Sequence, residues 1–502
     1  MYSYKQGCTF NSLSDIKGKN IVVMGLGLNG GGEACVKFLL KHGANVLATD
    51  MKTAEQLKPT IERLSNDQTI DTSRLSYRLG EHKIEDFENA DCVIKNPGVK
   101  IEGNKYLKAA KNIETDISIF LHFTKAPIIA VTGSKGKSST VSAINYGLSQ
   151  AGFTCFLGGN ITVSPLTFLE QTNEKTPVVL ELSSWQLADL RGRKLLKPKI
   201  CIITKIVPDH QNWYHNMEKY VQDKRLIYAE QTSSDYSIFD FDGDEPGTGP
   251  ENGGTWGDFF ANETKGTVLR YSKKELPAGV YGVFQTKDDN GNFCGKAILP
   301  GEKQSETILQ ELIVPGEHMK TNALNAALVL RLMNVPAEKC VKILSKWPGI
   351  AHRLQFFYEN NGIRFYNDSC ATVPEAAAAA SQAFGKPVYL LTGGTDKGLD
   401  LTPLSNSLTG KNKNEIQVKS LYLLAGSATD KLIPELKQSN IKYNGPFSSL
   451  DEMLCALKSE LSKSQHKDDI VVFSPGATSF GMFQNEFDRG NQFMEKVKEI
   501  FI

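Results

Sequence analysis

Short apolar runs recur along the chain and stop abruptly at Gly, Ser, Asp or Asn. A first set comprises "NIVVMG", "ANVLATD" and "DCVIKNPG" and ends near residue 124. A second comprises "APIIAVTG", "PVVLELSS", "KICIITKI" and "DYSIFDFD", and a third "GIRFYNDS", "KPVYLLTGG", "SLYLLAGS" and "DIVVFSPG". Between these runs the apolar positions widen to helical spacing. Such alternation predicts an α/β chain of parallel sheets flanked by helices. In sheets of that kind ligands sit beyond the carboxyl ends of the strands, where these polar endings fall. The predicted boundaries give three domains, 1–124, 125–347 and 348–502, and a chain of 502 residues is long enough for them at about 150 residues each. The Gly-, Pro- and acid-rich stretch 243–265 reads as an inserted, mobile surface loop. "EAAAAASQAF" at 375–384 predicts a helix with a packed small-residue face.

Composition narrows the class. Forty per cent apolar and 23% charged residues suit a soluble globular enzyme, and a net charge of +1 gives no reason to expect nucleic acid or an anionic membrane as partner. Nine scattered cysteines without a C-x-x-C pair indicate neither a disulfide framework nor a zinc site. The polar start and the lack of a long apolar run lead to the expectation of a cytoplasmic protein without membrane insertion.

Two glycine loops carry candidate chemistry. "VVMGLGLNGGG" matches G-x-G-x-x-G with Gly25, Gly27 and Gly30, and Asp50 ends the next strand, where an acid can reach a ribose. Alone, this loop reads first as a dinucleotide site, as in a nicotinamide-dependent oxidoreductase, with a bare glycine turn as the lesser alternative. The second, "APIIAVTGSKGKSST", is a phosphate loop in which Val131 stands where the first glycine belongs. Amides from Gly133 to Ser138 form an anion nest, Lys137 supplies charge, and Ser138 or Ser139 a hydroxyl for Mg²⁺. An oxidoreductase would leave this loop idle. Glu181 interrupts the apolar strand "VVLELSS", a costly position for an acid unless it binds a partner or metal. Asp209 and His210 follow another strand. Lys224 in "YVQDKRLIYAE", read alone, is a solvated helix lysine.

Taken together, these stretches resemble the Mur ligase family, the ATP-dependent amino-acid ligases of peptidoglycan precursor synthesis. The resemblance runs through "TGSKGKSS", "GGNI", "ELSSWQL", "PDH", "DKRLIY", "GEHMKTNALNA", "GIAHRLQ", "NDSCAT", "GGTDKG" and "SPGATSFGMFQNEFDRGNQF". "GLGLNG", "NPG" and the last of these resemble its glutamate-adding members; the Asp-Asn-Pro-Arg element of the diaminopimelate- or lysine-adding ones is absent.

The resemblance implies an N-terminal Rossmann-like UDP-binding domain, a central P-loop ATPase-like domain and a C-terminal Rossmann-like domain. It implies UDP-N-acetylmuramoyl-L-alanine, glutamate and ATP as substrates, an acyl-phosphate intermediate, two Mg²⁺ sites and a monomer. Gly25, Gly27, Leu28, Asn29, Asp50, Lys52, Asn96, Asn160 and His210 are then expected at the UDP precursor. Gly133, Ser134, Lys135, Gly136, Lys137, Ser138, Ser139, Asn322, Arg353 and Asp368 are expected at ATP. Ser138, Glu181, His210 and a carbamylated Lys224 would hold metal, with Lys137, Glu181, His210 and Lys224 catalytic. Thr372, Lys397, Ser479, Phe483 and Phe487 would hold glutamate. Cys370 replaces a lysine of the common pattern, Met319 an asparagine, and Val373-Pro374-Glu375 is unusual, so D-glutamate has an L-glutamate-adding branch as its alternative. Folate polyglutamate ligases share the second loop but lack the first domain.

Overall fold

The computed structural model describes residues 2–409 and 416–502. Its first sheet contains β1 (Asn20–Met24), β2 (Asn45–Asp50), β3 (Leu75–Leu79), β4 (Cys92–Lys95) and β5 (Ile113–Glu114) in the order β3-β2-β1-β4-β5. Its strand pairs are all parallel. The chain leaves β1 toward β2 on one side and later returns to β4 on the other. A crevice therefore opens between the loops that follow β1 and β4, the position at which such sheets bind nucleotides. Gly25 follows one strand and Asn96 the other.

The second sheet contains β6 (Ile128–Thr132), β7 (Phe156–Gly159), β8 (Val178–Glu181), β9 (Ile200–Ile203), β10 (Tyr236–Asp240), β11 (Thr267–Ser272), β12 (Gly282–Lys287), β13 (Phe293–Ile298) and β14 (Glu306–Leu309). Their order is β14-β13-β12-β11-β10-β9-β6-β8-β7. Every residue of β6, β8 and β9 is buried, because helices cover both faces; such strands read as unbroken apolar runs. The parallel sheet expected from those runs holds from β7 to β12 and is extended at one edge by antiparallel strands. β13 pairs antiparallel with both β12 and β14. These strands mix polar and apolar residues and lack the compact apolar signature.

The third sheet contains β15 (Gln355–Asn360), β16 (Ile363–Asn367), β17 (Tyr389–Gly393), β18 (Ser420–Leu424), β19 (Asn444–Phe447) and β20 (Asp469–Phe473), ordered β15-β16-β20-β17-β18-β19. β15 is again antiparallel, joined to β16 through Asn361 and Gly362, both at positive φ (50° and 75°). Asn-Gly is the pair that adopts such a two-residue turn at least cost.

The chain divides into two compact units, Met1–Gln310 with Thr321–Leu344, and Glu311–Lys320 with Ser345–Ile502. The first two sheets thus share a unit. Among the described residues, no helix is long and apolar enough to cross a membrane. The stretch 243–265 also departs from expectation. Trp256–Glu263 is a helix, Trp256 and Phe260 are buried in the core, the Trp256 amide donates to Asp244 Oδ2 (2.7 Å), and its indole donates to the Thr248 carbonyl (2.7 Å). Two aromatic side chains outweigh the local Gly and Pro content. Pro374–Gln382 is helical as predicted, with Ala377 and Ala380 packed inside.

Candidate functional site

The first glycine loop is built to expose backbone. Gly25, Gly27 and Gly30 all have positive φ, and the helix Gly31–Lys41 starts immediately after Gly30. A β-carbon on Gly25 would stand 2.9 Å from Asn96 Cβ. The glycine that lets helix and strand pack closely is not Gly30 but Gly32, where a β-carbon would meet the Leu26 carbonyl oxygen at 2.3 Å. Leu28 and Asn29 stand exposed at the loop tip, and Lys52 is exposed beyond β2. Asp50 is buried, and its carboxylate accepts from the Gly27 amide (2.9 Å) and the Lys52 amide (2.9 Å). It therefore shapes the loop through its own backbone. Asn96 Oδ1 accepts from the Gly98 amide at 3.0 Å, closing the turn opposite.

The second loop is populated by side chains from elsewhere in the sequence. Gly136, at φ 89°, precedes the helix Lys137–Ala151, and a β-carbon there would stand 2.6 Å from Asn322 Oδ1. Gly133 has no room either, since Thr204 Oγ1 would lie 2.0 Å from its β-carbon. The amides of Ser134 and Lys135 donate to the Lys205 carbonyl, at 2.9 and 3.3 Å. Ser134 Oγ donates to the Val207 carbonyl (2.8 Å) and accepts from the Tyr220 hydroxyl (3.0 Å). Ser138 is half-buried and Ser139 buried on the first helical turn, while Lys135 is exposed.

Two lysine side chains converge here. Lys137 Nζ donates to the carbonyls of Gly133 (2.9 Å) and Ser134 (3.0 Å), and Lys224 Nζ donates to the same Gly133 carbonyl at 2.8 Å. Lys224 is 1% exposed and lies 4.5 Å from the Tyr220 ring centre. The solvated reading of Lys224 is therefore wrong: one turn of helix buries it against the loop. Burial, and secondly the Lys137 charge, hold its pKa well below the ordinary lysine value. Burial also lowers Lys137, opposed by Glu181 and Asp209.

Parallel registry of β6 and β8 sets Val131 beside Glu181, at the root of the loop. Glu181 is 1% exposed; Oε1 accepts from Asn160 Nδ2 at 2.9 Å, whereas Oε2 is buried without a hydrogen-bond partner. A buried carboxylate oxygen left so is costly, and a cation is what would satisfy it. Gly159 permits this approach, because a β-carbon there would lie 2.1 Å from the Glu181 carbonyl oxygen. Among the described residues no three His, Cys, Asp or Glu side chains form a metal cage. One carboxylate, set by registry at the root of the loop whose helix bears the Ser138 hydroxyl, suits Mg²⁺, which keeps several waters and takes phosphate oxygens. His210 is exposed at φ 51°, its ring 4.8 Å from that of Trp185 and its Nε2 3.8 Å from Asp209 Oδ2.

In the second unit the candidate residues follow three neighbouring strands. Asp368 to Thr372 follow β16, Lys397 lies beyond β17, and Ser479 beyond β20. Asp368 is buried and accepts from the Leu354 amide (3.0 Å) and from Ser474 Oγ (2.6 Å); burial pushes its pKa up to about 6. Arg353 and Lys397 are exposed, Thr372 and Phe483 half-buried, and Ser479 buried. Phe487 is exposed, its ring 5.7 Å from that of His352. Cys370 is half-buried, and its amide donates to the His352 carbonyl at 3.0 Å.

Thr204, Tyr220, Lys205 and Arg489 escaped sequence reading. Arg489 is wholly buried and donates to Ser369 Oγ (3.0 Å), the Ser369 carbonyl (2.8 Å) and the Ala477 carbonyl (3.0 Å), tying two strand-end loops together. Its position in "NEFDRGNQF" reads as an ordinary helical arginine, and no local signal distinguishes it.

Comparisons with known proteins give the family. Residues 131–330 match the Mur ligase middle domain, and residues 19–118 match the Mur ligase MurD-like N-terminal domain. The UDP-N-acetylmuramoylalanine–D-glutamate ligase of Treponema pallidum is 39% identical, with 97% of this chain and 98% of the relative covered. The enzyme of that name from Borreliella burgdorferi strain ZS7 is 38% identical, with 97% and 99% covered. Among solved structures, MurF from Acinetobacter baumannii superposes with a TM-score of 0.57 at 13% identity, covering 99% of this chain and 100% of that one. UDP-N-acetylmuramate–alanine ligase from Thermotoga maritima gives 0.52 at 16% identity, with 96% and 99% covered; both likenesses concern the fold.

Proposed function

The chain belongs to the Mur ligase family, and from that premise we propose that it joins D-glutamate to UDP-N-acetylmuramoyl-L-alanine at the expense of ATP. It acts in the cytoplasm, as a monomer, in peptidoglycan precursor synthesis. Residues 1–124 take the acceptor's nucleotide, 125–347 take ATP, and 348–502 take glutamate. The observation that carries this reading is Glu181: a buried carboxylate oxygen without a partner, set by sheet registry beside a phosphate loop.

The acceptor's terminal carboxylate is inert toward an amine, so it must first be activated. Its oxygen attacks the γ-phosphorus of ATP, the bond to the β–γ bridging oxygen breaks, and ADP leaves. Lys137 sits within the loop, where it neutralises charge on the transferring oxygens. Glu181 and Ser138 would hold one Mg²⁺ and His210 a second, and these ions would supply further charge stabilisation. The glutamate amine then attacks the acyl carbon and phosphate departs, with one proton released. Asn160 orients Glu181, and together with His210, Leu28, Asn29, Asp50, Lys52 and Asn96 it serves the acceptor. Asn322, Arg353 and Asp368 serve ATP. Lys397, Thr372 and Ser479 answer the two carboxylates of glutamate, flanked by Phe483 and Phe487.

Lys224 is assigned as a carbamate. A neutral amine nitrogen attacks CO₂, loses one proton and becomes an anion able to join the metal site. Burial and its proximity to Lys137 favour the neutral amine from which this starts. Lys224→Ala is expected to lose at least a hundredfold in kcat and to regain part of it with short carboxylic acids; wild-type activity in the variant would remove the assignment.

The overall reading is tested with D- and L-glutamate in a full amino-acid panel, together with ATP and the UDP-muramoyl acceptor. Phosphate release should require the acceptor and D-glutamate, and ¹⁸O placed in the acceptor carboxylate should appear in the released phosphate. Phosphate without label would exclude the acyl-phosphate route.

A further inference from the structure

Lys95 ends β4 and is 3% exposed, an unusual place for a lysine. Its Nζ donates to the Asn96 carbonyl (3.1 Å) and the Val99 carbonyl (2.8 Å) and lies 2.8 Å from Asp189 Oδ2. Asp189 closes the helix Ser184–Ala188, which begins just after Glu181, and its Oδ1 accepts from the Tyr4 hydroxyl at 3.0 Å. Its main-chain carbonyl accepts from Arg193 Nε (2.9 Å), while Arg193 Nη1 lies 3.0 Å from Glu114 Oε2. Buried charge thus joins the turn after β4 to the segment after β8, two places far apart in sequence that flank the two candidate nucleotide loops.

A buried ion pair seldom stabilises a fold more than apolar side chains of equal volume would, so stability alone does not account for it. The same lysine also fixes two carbonyls of the turn bearing Asn96. We propose that Lys95 and Asp189 are a positioning pair: they hold the 96–99 turn in the shape that receives the acceptor's nucleotide and register it to the helix following Glu181. This rests on the proposed function only in the identity of the nucleotide.

Replacing one partner strands a charge and is expected to lower Tm. The informative protein is the double variant Lys95→Met/Asp189→Leu, which leaves no charge unpaired. If the pair positions the turn, the double variant regains a Tm near wild type but keeps a KM for the UDP-muramoyl acceptor raised about tenfold, with KM for ATP unchanged. A double variant with wild-type KM for the acceptor overturns the proposal. A second measurement needs no variant. UDP alone, added to the wild-type chain, should slow amide hydrogen exchange in 96–99 and also in 184–190; protection confined to 96–99 overturns the coupling, as does the absence of protection. Failure of the wild-type chain to turn over the acceptor would strike the proposed substrate instead, and the exchange measurement with UDP would still decide the pair.

Discussion

Two glycine loops, each between a strand and a helix of the same unit, have different surroundings. Around Gly25–Gly32 the loop is held by one buried acid, Asp50, through backbone amides, with exposed Leu28 and Asn29 at its tip. Around Gly133–Ser138 two lysines converge on a single carbonyl, the Tyr220 hydroxyl and the Val207 backbone pin Ser134, and a carboxylate waits with an unpartnered oxygen. Amides and a helix N-terminus suffice to grip a phosphate that only has to be held. A phosphate that has to react needs charge placed against its developing transition state. The difference lies in the side chains brought in by the sheet, and less in the glycines.

The comparison breaks most sharply at the second loop. Lys137→Ala and Glu181→Gln are expected to lower kcat by about a thousandfold or more while leaving UDP binding, read by calorimetry, unchanged. Impaired UDP binding in either would mean that the loops are not functionally separate. Next comes the first loop's own packing. Gly32→Ala forces a β-carbon into a backbone oxygen and should destabilise the chain severely, whereas Gly30→Ala meets nothing closer than 3.7 Å and bears only the strain of its positive φ, about 1 kcal/mol. Equal thermal shifts in the two would refute the assignment of Gly32 as the packing glycine.

A smaller effect is expected at Asp50. Asp50→Asn can accept only one of the two amides well, so KM for the acceptor should rise several-fold with KM for ATP untouched. The smallest effect concerns the other unit. Asp368 has a folded pKa of about 6, above the ordinary 3.8, so the folded chain holds this proton more tightly than the unfolded chain. The stability it contributes is full below 3.8 and is lost as pH rises toward about 6. Thermal scans across that window should show a shallower decline for Asp368→Asn; parallel curves would contradict the sign.

Much of the fold was legible because strands buried on both faces leave continuous apolar runs, as in "PIIAVT" and "PVVLE". β13, β14 and β15 were missed because antiparallel strands near sheet edges tolerate polar residues. The helix Trp256–Glu263 was missed because glycines beside it dominate the local composition, while its stability comes from the burial of Trp256 and Phe260. The candidate residues stood out where a motif is contiguous, and stayed hidden where an ordinary residue reaches a strand-end loop only through packing, as Thr204 and Tyr220 do in the first unit and Arg489 in the second.

By itself, the sequence determined the alternation of strands and helices, the positions of glycines at strand ends, and the presence of phosphate-binding chemistry. Those are local properties, written in periodicity and in the backbone freedom of single residues. Only the tertiary structure decided that Lys224 is buried, that Glu181 keeps one oxygen unsatisfied, that Gly32 and not Gly30 is the close-packed glycine, and that Lys95 meets Asp189. Burial, desolvation and ion pairing depend on groups remote in sequence, and no stretch of chain carries that information until the sheets bring those groups together.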